Sequence, residues 1–200
     1  MRIRTLLNPF SCLQRYKRQD WLALFPNFQG ILDVEIGFGT GHFITSYAKT
    51  FPTHAVVGFE IRKKLVELVQ EKSKLAQLDN TCLVWGNGQY GLEDMFEDKS
   101  IDRIFVFHPD PWIKRHQNKR RVVSPAFLEL VHTKLKPGCH LYVATDVPEL
   151  WEVMLQAIQD SQKFTLIPDD PFWTTLYHTR WKEMSLEHNR SLFYGTFQAR

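Results

Sequence analysis

Cysteine is scarce and unpatterned in this chain: Cys12, Cys82 and Cys139 are three residues among 200, an odd number with no Cys-x-x-Cys spacing. That count fits neither a disulfide framework nor a thiolate metal site, and it suits a reducing, cytoplasmic compartment. Histidines do not cluster at ligand spacing, so no metal is expected. Long apolar runs are missing as well. The longest, such as Ile104 to Phe107, fall far short of the roughly 18 residues a membrane span needs. Asn8 and Pro9 interrupt the apolar start at Leu6 and Leu7, so no signal peptide is expected and the protein should be soluble. The sequence contains no repeat or low-complexity tract, and its nearest approach to a linker, Pro168 to Pro171, is too short to separate domains. Locally, acid is missing too: Met1 to Arg18 holds Arg2, Arg4, Arg15, Lys17 and Arg18 and no Asp or Glu.

What is present is an apolar content of 44%, enough for one domain of ordinary size over residues 30–200, preceded by a basic arm over residues 1–29. The net charge of +3 is modest but uneven, because Lys114, Arg115, Lys119, Arg120 and Arg121 form a second basic cluster. One such cluster can be a solvated surface. Two together favour a polyanionic partner, since each neutralised phosphate releases condensed counterions.

Strands are expected over 31–36, 55–59, 81–85, 101–107 and 139–145, the last after a Lys136-Pro137-Gly138 turn. Helices are expected over 40–49, 64–78, 125–135 and 149–159, with Ser124 as a start signal for the third. This alternation predicts an α/β fold built on a parallel sheet with helices on both faces and right-handed crossovers. Two further strands, 164–167 and 192–198, are expected as an antiparallel edge at the carboxyl end. Ligands in such folds sit at the carboxyl ends of strands, which directs attention to Glu35, Glu60, Asn87, the stretch from His108 to Trp112, and Asp146.

Gly37-x-Gly39-x-Gly41 follows the first strand and lets the backbone turn tightly against a ligand. A dinucleotide fingerprint would place its third glycine at His42, so a pyrophosphate is disfavoured. S-adenosylmethionine fits better, because its ribose diol, ammonium and sulfonium all favour nearby carboxylates. Glu35 and Glu60 supply them; Glu60 lies nineteen positions after Gly41, where an acid can accept both ribose hydroxyls. Asn87 is placed to hydrogen-bond the adenine. After the fourth strand, two prolines fix Asp110 in His108-Pro109-Asp110-Pro111-Trp112. Arg115, Lys119, Arg120 and Arg121 downstream are candidates for phosphate contacts, while Trp112 is expected to pack on the sheet rather than to stack a base.

These residues resemble the bacterial tRNA (guanine-N7)-methyltransferase family, of the Rossmann-like class I S-adenosylmethionine-dependent fold with a mostly parallel seven-stranded sheet. The carriers are the stretch from Glu35 to Gly41, Gly58-Phe59-Glu60, Pro109-Asp110-Pro111-Trp112-Ile113-Lys114 with Asn118 to Arg121, Thr145-Asp146, and Thr175 to Arg180. The glycine block is common to many methyltransferases; the Pro-Asp-Pro-Trp block with its basic tail is far more restricted. The resemblance implies methylation of guanine N7 in tRNA, at the variable-loop guanosine (position 46 of tRNA). It implies that Glu35, Gly37, Gly39, Glu60, Asn87 and Asp110 hold the cofactor or line its site, with Asp110 also catalytic. Lys114, Asp146, Thr175, Tyr177 and His178 would bind the target nucleotide, with Arg115, Arg120 and Arg121 on phosphates. Asn87, His178 and His108 depart from the family, which usually has an acid, a Glu and a Phe there. An amino-group methyltransferase and a noncatalytic RNA-binding protein on the same fold are the alternatives. A monomer and a homodimer are equally compatible with the sequence.

Overall fold

The structure, a computed structural model, describes residues 8–112 and 119–200. Strands β1 (Leu32–Ile36), β2 (Ala55–Glu60), β3 (Thr81–Trp85), β4 (Ile101–Phe107), β5 (Leu135–Thr145), β6 (Phe164–Ile167) and β7 (Phe193–Ala199) form one sheet in the order β3-β2-β1-β4-β5-β7-β6. The first five are parallel, and β7 runs antiparallel between β5 and β6, as the sequence pattern predicts. Around the sheet lie α1 (Trp21–Leu24), α2 (His42–Thr50), α3 (Lys63–Leu75), α4 (Gly88–Met95), α5 (Pro125–Lys134), α6 (Pro148–Ser161), α7 (Phe172–Thr175) and α8 (Arg180–Glu187).

Every residue of β1 and β2 is buried, because helices cover both faces of a parallel sheet. One face packs Leu92 of α4, Phe127 and Leu128 of α5 and Met154 of α6 onto Val34, Val57 and Ile104. The other packs Phe43 and Ile44 of α2, Val69 of α3 and Phe172 of α7 onto Val56, Phe105 and Tyr142. Local signals set the helix starts. The Ser124 hydroxyl accepts the Phe127 N–H at 3.3 Å, with Pro125 opening α5. Gly41 caps α2 at φ +80°, where a Cβ would also overlap Val69.

Two expectations need correction. The Lys136-Pro137-Gly138 turn does not interrupt β5, which begins at Leu135; the extra residues form an irregularity in the β4–β5 register between Ile101 and Arg103. Helix α4 was not apparent in the sequence because Gly88 and Gly91 lower its propensity. Its glycines serve packing: Gly88 lies under Ile36 and Gly91 under the Phe59 ring. The sheet order reverses at β1, with β2 on one side and β4 on the other, so a crevice opens at the carboxyl ends of these strands.

Candidate active site

Two cavities open along that crevice. The smaller, about 110 Å³, lies among the ends of β2 and β3, the start of α4 and the loop after β4. The larger, about 580 Å³, lies between the glycine turn, the start of α3 and the start of α8. Gly37, Ile61, Arg62, Phe107, His108 and Asp110 line both, so the cavities adjoin at Asp110. The loop that carries Asp110 is bounded by two non-glycine residues in the left-handed region, His108 at φ +48° and Trp112 at φ +37°. Such backbone persists only where surrounding contacts over-determine it. Here the His108 ring is fixed at both nitrogens, and Trp112 is buried to 4% exposure with the Arg120 guanidinium over its face at 5.0 Å.

The carboxylates at the ends of β1 and β2 have different surroundings. Glu60 accepts the Gly39 N–H (3.0 Å) and the Arg62 N–H (2.9 Å), and its two oxygens are bridged by Arg62 Nε and Nη2 (2.9 Å each). Glu35 is the opposite case: it lines the larger cavity, and its Oε2 is buried with no hydrogen-bond partner. Burial, aided by the nearby Glu60 charge, pushes the Glu35 pKa up to about 8. A buried orphan acceptor of this kind fits a cationic donor from a ligand, such as an ammonium group. Gly37 leaves open space where a Cβ would point. The unpartnered Glu35 carboxyl beside the open space at Gly37 fits the ammonium group of S-adenosylmethionine.

Arg62 was not singled out in the sequence. It lines both cavities and is held charged by its hydrogen bonds to Glu60 and, further down, by the field of Asp110. Its position two residues after the acid of β2 was the available signal.

Other expected site residues sit differently. Asn87 lines the smaller cavity, but its amide is already engaged: Oδ1 accepts the Gln89 N–H (2.9 Å) to cap α4, and Nδ2 donates to the Pro9 carbonyl (3.1 Å). It holds the amino-terminal arm over the cavity, where Pro9 and Phe10 form part of the wall. Arg120 and Arg121 also wall the smaller cavity, the first lying on Trp112. Lys114 and Arg115 lie outside the described residues. Asp146 lines neither cavity; it is buried behind His108 (Oδ1 to Nδ1, 3.3 Å) and paired with Arg190 (3.1 Å). The His108 Nε2 hydrogen-bonds the buried Tyr177 hydroxyl at 2.6 Å, so both ring nitrogens are engaged. Thr175 turns back onto the Pro171 carbonyl (2.8 Å), and the exposed His178 meets the Thr175 carbonyl at 3.2 Å. The segment that reaches the larger cavity is the next one, Thr179, Arg180, Trp181 and Met184. Its sequence signal was Thr179, whose hydroxyl caps α8 by accepting the Lys182 N–H (2.9 Å).

Of the cations in the basic arm, Arg2 and Arg4 lie outside the described residues. Arg15 pairs with Asp94 (2.8 Å) and Glu93 (2.9 Å), and Arg18 pairs with Glu97, all on or beside α4. The cations that ring the larger cavity are instead Arg62, Lys63, Lys64 and Arg180, all exposed. Among the described residues no group of three or more His, Cys, Asp or Glu could hold a metal ion, and no helix is long and apolar enough to cross a membrane.

This strand order, the glycine turn and the paired acids define a class I S-adenosylmethionine-dependent methyltransferase. The family model described as "Putative methyltransferase" matches residues 29–193. Solved structures share the fold at low identity: the 16S rRNA methyltransferase KamB, with a TM-score of 0.66 and 16% identity over 92% of this chain and 95% of that one, and a SAM-dependent methyltransferase from Aquifex aeolicus, with a TM-score of 0.58 and 16% identity over 90% and 92%. Sequence relatives are nearer. The tRNA (guanine-N(7)-)-methyltransferase of Myxococcus xanthus is 35% identical over 80% of this chain and 74% of its own. The enzyme of the same name from Limosilactobacillus fermentum is 35% identical over 78% and 70%. The chain belongs to the tRNA (guanine-N(7)-)-methyltransferase family.

Proposed function

We propose that this protein transfers a methyl group from S-adenosylmethionine to N7 of a guanine in tRNA, with the variable-loop guanosine as the target. The observation that carries the reading is the junction at Asp110, where the two cavities adjoin at the switch point of the sheet, with the unpartnered Glu35 carboxyl in the larger one. When bound, S-adenosylmethionine supplies an electrophilic methyl group on a sulfonium. Guanine N7 has an in-plane lone pair and no proton, so the protein need not remove one. The work left to its residues is alignment, exclusion of water and stabilisation of charge. Phe38, Phe43 and Phe107 give the larger cavity an apolar wall that excludes water. Asp110, fixed between two prolines, places an anionic group where positive charge develops on the purine. A tRNA substrate also implies work in the cytoplasm.

The test is to incubate the protein with unmodified tRNA and methyl-labelled cofactor, then map the label. Cleavage of the labelled tRNA by borohydride and aniline at a guanosine supports N7. Label that resists this cleavage sinks the assignment and points to an amino group. Asp110→Ala is expected to lower kcat by about 10² to 10³-fold, as for loss of one oriented electrostatic group, while calorimetry still detects cofactor binding. Near-normal turnover in that variant would remove Asp110 from its role.

A further inference from the structure

We propose that Arg121 is a cofactor residue whose guanidinium donates to a ring nitrogen of the adenine of S-adenosylmethionine, an assignment that rests on Glu35 taking the cofactor ammonium. The ammonium and carboxylate of that molecule sit on one carbon, so an ammonium at Glu35 keeps both groups in the larger cavity. The adenosine end is left for the smaller cavity, which adjoins the larger at Gly37, Ile61 and Asp110. Adenine offers acceptors at its ring nitrogens and a donor only at its amine. What it needs from the surrounding wall is therefore mainly N–H groups.

Other polar side chains of that wall are already matched. Glu60 accepts from Gly39 and Arg62, and Asn87 is used at both ends of its amide by Gln89 and Pro9. Arg120 lies over the Trp112 ring. Arg121 differs. It is half-buried and lines the smaller cavity, and its Nε is buried without a hydrogen-bond partner among the described residues. A guanidinium carries five donors and no acceptor, and a buried donor left unmatched costs free energy that an acceptor in the cavity recovers. The segment that holds Arg121 is anchored, since Val123 belongs to the core, Val122 packs against it, and Ser124 then caps α5. This end of the basic cluster is thus drawn into the cavity wall. A tRNA phosphate would approach from solvent, where the buried Nε is not presented.

The test is calorimetry with S-adenosylhomocysteine, the product of methyl transfer, and with analogues in which carbon replaces N1, N3 or N7 of its adenine. In the unaltered protein one analogue is expected to bind about 10- to 100-fold more weakly than the parent compound, the range for a hydrogen bond to a charged group. Arg121→Gln and Arg121→Lys should lose about as much affinity for the parent, because Lys keeps the charge but not the planar fork. Neither variant should discriminate further against that analogue. Filter binding should show tRNA affinity and its salt slope as in the unaltered protein. Equal binding of the parent and all three analogues overturns the proposal. So does an Arg121→Gln variant with full affinity for S-adenosylhomocysteine and a salt slope lower by about one unit, which marks a phosphate contact. The analogue series needs only the unaltered protein, so it decides even if the variants do not fold. No binding of S-adenosylhomocysteine by the unaltered protein would sink the cofactor reading and this proposal together, a result distinct from binding that is indifferent to Arg121.

Discussion

Glu35 and His108 show how much a single side chain here owes to its neighbours. With its pKa raised to about 8, Glu35 is mostly neutral at pH 7 in the ligand-free protein. The sign follows from linkage: a carboxyl raised above its unfolded value gives stability that is complete below the ordinary carboxylate range and is lost as pH climbs through about 8. A cofactor ammonium reverses the preference, because it stabilises the carboxylate. Cofactor binding below pH 8 should thus expel a proton, and affinity should rise with pH until Glu35 ionises unaided. Calorimetry at pH near 6.5 in buffers of different ionisation enthalpy is expected to report release of about one proton, absent in Glu35→Gln. Equal enthalpies in all buffers would mean that Glu35 is already ionised or stays neutral. His108, where the family usually has Phe, is accounted for by its contacts: its ring nitrogens meet the buried Asp146 carboxylate, which Arg190 also holds, and the buried Tyr177 hydroxyl.

At the scale of elements, α4 carries more than its length suggests. It receives the amino-terminal arm through Tyr16, whose backbone N–H donates to Asp94 (2.9 Å) and whose hydroxyl reaches the Trp85 carbonyl (3.0 Å). Its first residues line the smaller cavity. Its position depends on Gly91, because a Cβ there would enter the Phe59 ring. Gly91→Ala sets two effects against each other: helix propensity favours Ala by about 1 kcal/mol, whereas overpacking a buried contact costs about 1–3 kcal/mol. The core contact is expected to win, since Phe59 is fully buried and hemmed in by Phe96 and Tyr16. Denaturant titration should show a lower midpoint for Gly91→Ala; an unchanged or higher midpoint would show that α4 can shift away from the sheet.

For the whole molecule the relevant quantity is where its cations lie relative to the cavities. The arm is basic in sequence; within it Arg15 and Arg18 pair with acids at α4, while Arg2 and Arg4 lie outside the described residues. The exposed cations around the larger cavity come from two distant segments, Arg62 to Lys64 and Arg180. Charge-neutral substitutions at Lys63, Lys64 and Arg180 should flatten the dependence of tRNA affinity on salt by about one unit of logarithmic slope for each phosphate no longer neutralised. Arg15→Gln and Arg18→Gln should leave that slope unchanged. Filter binding across a salt series distinguishes the two sets, and the reverse pattern would restore the arm as the RNA surface.

The architecture was legible in the sequence wherever a local rule sufficed. Strand and helix alternation, the Gly37 to Gly41 turn, acids closing β1 and β2, the rigid setting of Asp110, and the Ser124 cap all depend on residues a few positions apart, within reach of backbone sterics and periodicity. Partnership was not legible. Glu60 bridged by Arg62 across a turn, Asn87 spent on Gln89 and Pro9, Asp146 buried behind His108 and Tyr177, and Trp181 at the wall of the larger cavity were settled only when the sheet order brought separate segments together. Side chains far apart along the chain satisfy whichever buried donor or acceptor packing places beside them, and that placement is a property of the folded sheet and its layers, not of any short stretch of residues.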